Sequence, residues 1–349
     1  MQRGIILTVS PLTLILLACV TVPLVNAEGY ILNWTIPTTN ILHSVFMVNP
    51  TNGWLVGDHG TIIRWNGVSW ANVTSPTGKY LNSVSMVSAS DGWAVGFNGV
   101  IIRWNGTTWN TVTSPTANTL YSVSMVSAND GWAVGWVGTI VRWNGASWTT
   151  VTSPTGGYLA SVFMVSATDG WAVGVNGAII RWNGVSWANV TSPTGNFLYS
   201  VFMVGAGDGW AAGVGGVIIR WNGTTWNTVT SPTTSYLTTV FMVSASDGWA
   251  VGGGGAIIRW NGVSWTSVTS PTTNNLYSMS MTSTSDGWAV GNDGTIIRWD
   301  ESQWVPEFPS VLIVPLLVTV TLLAVVVHKR KSKIQYGAIL YLTPMRFLV

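Results

Sequence analysis

The chain of 349 residues contains a single cysteine, Cys19. It falls within an N-terminal apolar stretch, so a chain cut behind that stretch has neither a disulfide nor thiol chemistry. Charge is nearly as scarce, at 7% of residues, far below ordinary usage for a soluble domain. Between Glu28 and Trp304 eight basic side chains face eleven acidic ones, and the basic surplus lies at the two ends. That distribution excludes a nucleic-acid patch. The three histidines, His43, His59 and His328, show no ligand spacing and predict no metal site. Three glutamates leave no carboxylate pair for glycoside chemistry outside one repeated aspartate. Apolar periodicity of the helical kind never exceeds one turn in the central part of the chain. No cofactor and no catalytic set is predicted.

What is abundant is glycine, with 39 residues, and tryptophan, with 23. Much of both sits in one hexapeptide. DGWAVG begins at Asp91, Asp130, Asp169, Asp247 and Asp286, appears as DGWAAG at Asp208, and as NGWLVG at Asn52, always 39 residues apart. Each period holds four short segments rich in Val, Ile, Thr and aromatics. In the third they start at Leu120, Gly131, Thr139 and Ser147, with Gly, Asn, Asp and Pro between them. Asn144-Gly145 is a hairpin signal. Each unit therefore predicts a four-stranded antiparallel meander, and a period of this length with strand content predicts a propeller.

The expected fold is all-β, a seven-bladed β-propeller. The seventh unit stops at Trp304, while Ile31–Thr38 aligns with Trp70–Thr77, Pro37 standing one period before Pro76. The N-terminal segment is thus expected to supply the last blade's fourth strand and lock the ring. Three tryptophans per unit account for all but Trp34 and Trp136. Each buries roughly 150–250 Å², which suits packing between blades.

Every unit carries an arginine before its second tryptophan: Arg64, Arg103, Arg142, Arg181, Arg220, Arg259 and Arg298. All but the first also carry an aspartate: Asp91, Asp130, Asp169, Asp208, Asp247 and Asp286. In a meander the two meet once per blade on one face, where exposed pairs contribute about 0–1 kcal/mol. Repetition argues for a structural role, because a catalytic centre breaks symmetry.

Positions that differ between units cluster at the other face. Before the first-strand leucine stand Ile41, Tyr80, Thr119, Tyr158, Phe197, Tyr236 and Asn275. After it stand His43, Asn82, Tyr121, Ala160, Tyr199, Thr238 and Tyr277. The turn between second and third strands begins with Asp58, Phe97, Trp136, Val175, Val214, Gly253 and Asn292. Candidate binding residues are Trp136, Tyr80, Tyr121, Tyr158, Phe197, Tyr199, Tyr236 and Tyr277, since rigid aromatics make good anchors.

The ends predict export and anchoring. Residues 1–27 read as a signal peptide with Arg3 at its start and Val25-Asn26-Ala27 before the cut. Residues 28–41 are the closing strand and entry to the first blade, 42–304 the seven repeats, and 305–310 a linker. The uncharged run 311–327 spans roughly 26 Å as a helix, close to a membrane core. The basic tail 328–349 is expected to be cytoplasmic, which leaves the repeats outside. Sequons at Asn33, Asn72, Asn105, Asn189 and Asn222 are then candidate glycan acceptors.

GWAVGNDGTIIRW, Gly287–Trp299, resembles the repeat of propellers related to the photosystem II assembly and stability factor. More loosely it is similar to the Asp-box repeats of sialidase-like propellers. The resemblance implies the fold. Asp-boxes read roughly S-x-D-x-G-x-x-W, whereas the turn here is RWNGVSW without the acid, so sialidase activity is not implied. Val305–Pro309, VPEFP, followed by an apolar span and HKRK, resembles the PEF-type sorting tail of archaeal surface proteins, which implies an archaeosortase-like processing enzyme. The expected function is a surface-displayed, non-catalytic binding or adhesion module for a cell-envelope glycan or surface protein. A glycan-directed hydrolase and a purely structural envelope component are the alternatives.

Overall fold

The computed structural model describes residues 37–307. The signal peptide, residues 28–36 of the expected closing strand, including Asn33, residues 308–310 of the linker, the apolar run 311–327 and the basic tail lie outside the described residues. Among the described residues no helix is long and apolar enough to cross a membrane.

Twenty-eight strands form seven four-stranded antiparallel sheets, each built from consecutive strands. In the first blade these are Leu42–Asn49, Asn52–Gly57, Ile62–Trp65 and Trp70–Asn72. In the seventh they are Leu276–Met281, Gly287–Gly291, Ile296–Trp299 and Trp304–Pro306. The seven-bladed all-β propeller is the one the repeat predicts. One 3-10 turn joins the second and third strands of each blade.

The hexapeptide is explained by the second strand, which is buried on both faces: Trp93, Ala94 and Val95 are fully inaccessible. A Cβ on Gly92 would run into the Met86 side chain. One on Gly96 would meet the Tyr80 carbonyl, which is backbone and cannot step aside. Only glycine admits the first strand so close at both ends. Trp93 then reaches into the next blade, 4.7 Å from Trp143 and edge-on to Trp148 at 5.3 Å. The Arg103 guanidinium lies over Trp93 and Trp143, at 4.9 and 5.7 Å. Each blade junction is thus a tryptophan cluster capped by one arginine.

The ring closes differently from the sequence expectation. The fourth position of the seventh blade is filled by Trp304–Pro306, with Trp304 opposite Trp299. Fourth strands of three residues also serve at Trp70–Asn72, Trp187–Asn189 and Trp265–Ser267. Among the described residues the seventh unit thus supplies its own fourth strand. Pro37 does hold a repeat register, since its carbonyl accepts from Asn72 Nδ2 at 2.7 Å as Pro154 accepts from Asn189 at 3.4 Å. That register places Pro37 at the connection entering the first blade. Closure instead continues the ordinary inter-blade contacts. Trp288 packs on Trp65 and Trp70 at 4.9 and 5.1 Å, and Gly294 N donates to Asn40 O at 3.1 Å.

First strands pair on one side only, which leaves an edge of free N–H groups toward the neighbouring blade. Serines answer it. Val84 N donates to Ser44 Oγ, Val123 N to Ser83 Oγ and Val162 N to Ser122 Oγ, at 3.1–3.3 Å. Val45 N donates to Ser278 Oγ and Met47 N to Ser280 Oγ across the closure, both at 3.1 Å.

Candidate binding site at the channel mouth

The seven first strands surround a central shaft of about 380 Å³. One end opens into a mouth of about 390 Å³. The cause of the mouth's lining is a β-bulge. In every blade the register slips just after the first-strand leucine, as between Leu42 and Ser44 or Leu81 and Ser83. The same slip recurs in the other five blades. The residue in the bulge has no strand partner and is re-aimed. All seven bulge residues line the mouth: His43, Asn82, Tyr121, Ala160, Tyr199, Thr238 and Tyr277, joined by Tyr158 and Tyr236. The fold thus turns the variable position of seven near-identical repeats into one ring.

The ring is lopsided. Its aromatic side runs over the third to sixth blades. Tyr121 and Tyr158 are 4.3 Å apart, Tyr158 and Phe197 5.0 Å, Phe197 and Tyr199 4.4 Å, and Tyr199 and Tyr236 6.1 Å. Trp136 stands edge-on to Tyr158 at 6.0 Å and is half exposed. Burial, and then closeness to Tyr121, pushes the Tyr158 phenol up from the tyrosine range. Burial also raises Tyr121 and Tyr236. These hydroxyls stay protonated at physiological pH and act as neutral hydrogen-bonding groups.

The polar side belongs to the first, second, sixth and seventh blades. His43 Nε2 lies 2.6 Å from Asp58 Oδ1, and the His43 ring is 5.8 Å from Tyr277. Asn82 Nδ2 donates to Leu120 O at 2.8 Å. Thr238 Oγ1 donates to Leu276 O at 2.6 Å.

Of the residues named from sequence, Tyr121, Tyr158, Tyr199, Tyr236 and Tyr277 come together in the mouth, with Phe197 and Trp136 against its aromatic wall. Tyr80 does not line it; it packs with Phe97 and His59, at 6.1 and 5.3 Å, over the first two blades. The His43–Asp58 pair was missed. Its signal was present, because two variable positions of the same unit carry an imidazole and a carboxylate. Asn72, Asn105, Asn189 and Asn222 are exposed in or just before fourth strands.

The repeated aspartates start the second strand, or in the seventh blade immediately precede it, and the bulge lies beyond its far end, so they face the opposite side of the disc. Asp91 takes Arg103 Nε at 2.9 Å and Nη2 at 3.1 Å. Asp130–Arg142, Asp169–Arg181, Asp208–Arg220 and Asp247–Arg259 repeat this two-point pairing. Asp286 takes Arg298 Nε at 2.9 Å. In the first blade Asn52 replaces the acid; its Oδ1 is buried without a partner among the described residues. Among the described residues Arg64 retains only the faces of Trp54 and Trp104, at 5.1 and 5.7 Å.

No protein-family model matches the sequence, and no curated protein matches it. Solved structures are similar in fold. YCF48 bound to a D1 peptide superposes with a TM-score of 0.65 at 20% identity, covering 76% of this chain and 94% of the other. YCF48 from Cyanidioschyzon merolae gives 0.62 at 20% identity, over 76% and 97%. The WD40 propeller domain of Doa1 gives 0.64 at 16% identity, over 75% and 92%. At such identities the likeness establishes the propeller fold.

Proposed function

We propose that the chain is a binding propeller displayed outside the cell, held by residues 311–327, whose ligand is a cell-envelope component received at the aromatic mouth. One observation carries this reading: the bulge sends the residues that vary between otherwise near-identical repeats to a single opening, and five tyrosines gather there. A concave site with rigid aromatics and a few polar groups is the usual form of a recognition surface. The opposite face carries repeated, internally neutralised pairs and offers no such variety. Among the structural neighbours, one YCF48 structure holds a peptide, which supports capture of a partner by a propeller of this shape without naming the partner here.

The test is a variant with Trp136, Tyr121 and Tyr158 changed to Ala. Binding of the full chain to envelope material should fall at least ten-fold, while melting shifts by only a few degrees. Parallel collapse of binding and folding would make these side chains core, and unchanged binding would move the site elsewhere. His43, which lines the mouth, pairs with Asp58 in an asymmetric acid–base arrangement, and this favours the hydrolase as second reading. Glycan hydrolysis by the full chain, abolished in Asp58→Asn, would establish it.

A further inference from the structure

The chemistry of the two walls narrows the ligand, on the reading that the mouth is the binding surface. We infer that the mouth takes a neutral glycan, its sugar faces against the aromatic wall and its hydroxyls donated to His43 Nδ1 and Asn82 Oδ1.

The inference starts from hydrogen-bond valence. The Asp58 carboxylate accepts from His43 Nε2 at 2.6 Å, so in the neutral imidazole the proton sits on Nε2 and Nδ1 presents a lone pair. The amide of Asn82 is oriented the same way: Nδ2 donates to Leu120 O, which leaves Oδ1 as the free end. Neither Nδ1 nor Oδ1 has a partner among the described residues. Thr238 already donates its proton to Leu276 O. Beside the Tyr277 hydroxyl, the polar wall therefore presents two free acceptors that ask the ligand for donors. An extended peptide offers one N–H donor per residue, fixed in direction and spacing by the backbone. A sugar brings several O–H donors close together, and each rotates to suit the acceptor it meets.

Charge and shape agree with this. No Lys or Arg lines the mouth, so nothing anchors a phosphate, a carboxylate or an acidic peptide. The tyrosines are neutral, and the one acid–base pair satisfies itself. Across the opening the rings of Tyr121, Tyr158, Phe197 and Tyr199 follow one another at 4.3–5.0 Å. They form an apolar wall whose hydroxyl edges are polar, which matches the C–H faces and O–H rim of a pyranose. The mouth's volume falls in the range of small-ligand sites.

The experiment uses the full chain and two sets of probes. One is a series of neutral hexose oligosaccharides beside the same series bearing a uronate. The other is cell-envelope material treated either with periodate, which cleaves vicinal diols, or with protease. Neutral oligosaccharides should bind saturably and better than the acidic series. Envelope binding should survive protease and be lost after periodate. His43→Phe keeps a ring in place but removes the acceptor, and should weaken binding roughly ten-fold, the size expected for one lost hydrogen bond to a buried partner; Asn82→Ala should do the same. Asp58→Asn releases the imidazole tautomer and should weaken binding several-fold with melting unchanged. Binding that survives periodate and is lost after protease, while still falling in the mouth variants, would overturn the glycan and leave the mouth standing. Binding indifferent to every mouth variant, or no binding to either set, would overturn the proposed function and the glycan with it.

Discussion

Val45 N donates to Ser278 Oγ at 3.1 Å across 233 residues of sequence, with the geometry of Val162 N to Ser122 Oγ inside the ring. Among the described residues the closure therefore repeats the contacts of an interior junction. Removing both acceptors at the closure, Ser278→Ala with Ser280→Ala, should destabilise as much as Ser122→Ala with Ser124→Ala, which strips the same pair of bonds from an interior junction. Each orphaned N–H costs about 1–3 kcal/mol, so both doubles should melt several degrees lower. A silent closing pair beside a costly interior pair would mean that another device seals the ring.

The seventh blade depends on Trp304, which is buried edge-on to Trp249 at 5.5 Å. Trp304→Ala should cost about 3–5 kcal/mol, the range for deleting a large buried aromatic. Denaturant unfolding would measure it. A loss below about 1 kcal/mol would mean that Trp304–Pro306 is not the strand that completes the blade.

Asn52→Asp should restore to the first blade the carboxylate–guanidinium pair of the other six, with Arg64 as partner. The gain expected for such a half-exposed pair is about 0–1 kcal/mol, with a further contribution from ending the isolation of the buried amide oxygen. A small upward shift in melting, abolished by adding Arg64→Gln, is the outcome to look for. A downward shift would show that the first blade is built around the amide.

Val137 sits at φ 54°, where the equivalent residues are His59, Asn98, Asn176 and Asp293 or glycine. A β-branched side chain there costs roughly 1–2 kcal/mol. Val137→Asn should raise stability by about 1 kcal/mol. If it also weakens ligand binding, the strained, half-exposed Trp136-Val137 knuckle belongs to the site.

Glu307 gives the fold a pH dependence. Burial, then Asp286, raises its carboxyl from the ordinary 4.5 to about 7, against the opposing pull of Arg298. The folded chain thus binds the proton more tightly than the unfolded one, and stability must decline as pH rises through that interval. The contribution is intact below about pH 4.5, falls between there and about 7, and is flat above. Glu307→Gln should remove this slope and melt higher than the parent at pH 8. An unchanged profile would assign the slope to another group.

The repeat made the fold legible, because seven copies of one pattern report strand number, turns and blade count together. The glycines around Trp93 were visible as spacing; their cause, Met86 on one side and the Tyr80 carbonyl on the other, was not, because it depends on how closely the first strand approaches. The closure was misread for a related reason. Seven fourth segments look long in sequence, yet only three or four residues of each pair, so the short seventh seemed truncated. Variable aromatics at the first-strand leucine pointed to the face on which the mouth opens. The bulge that gathers Tyr121, Tyr199 and Tyr277 into one opening, and sets His43 against Asp58, is a matter of register that composition does not reveal.

Which face the ligand covers is the most direct question, and oxidative footprinting of the full chain answers it. Bound to cell-envelope material, the protein should show Trp136, Tyr199, Tyr236 and Tyr277 protected from hydroxyl-radical modification, while Tyr80, outside the mouth, reacts as in the free protein. Protection confined to Tyr80, or no difference at any of these rings despite demonstrated binding, would contradict the aromatic mouth as the binding surface.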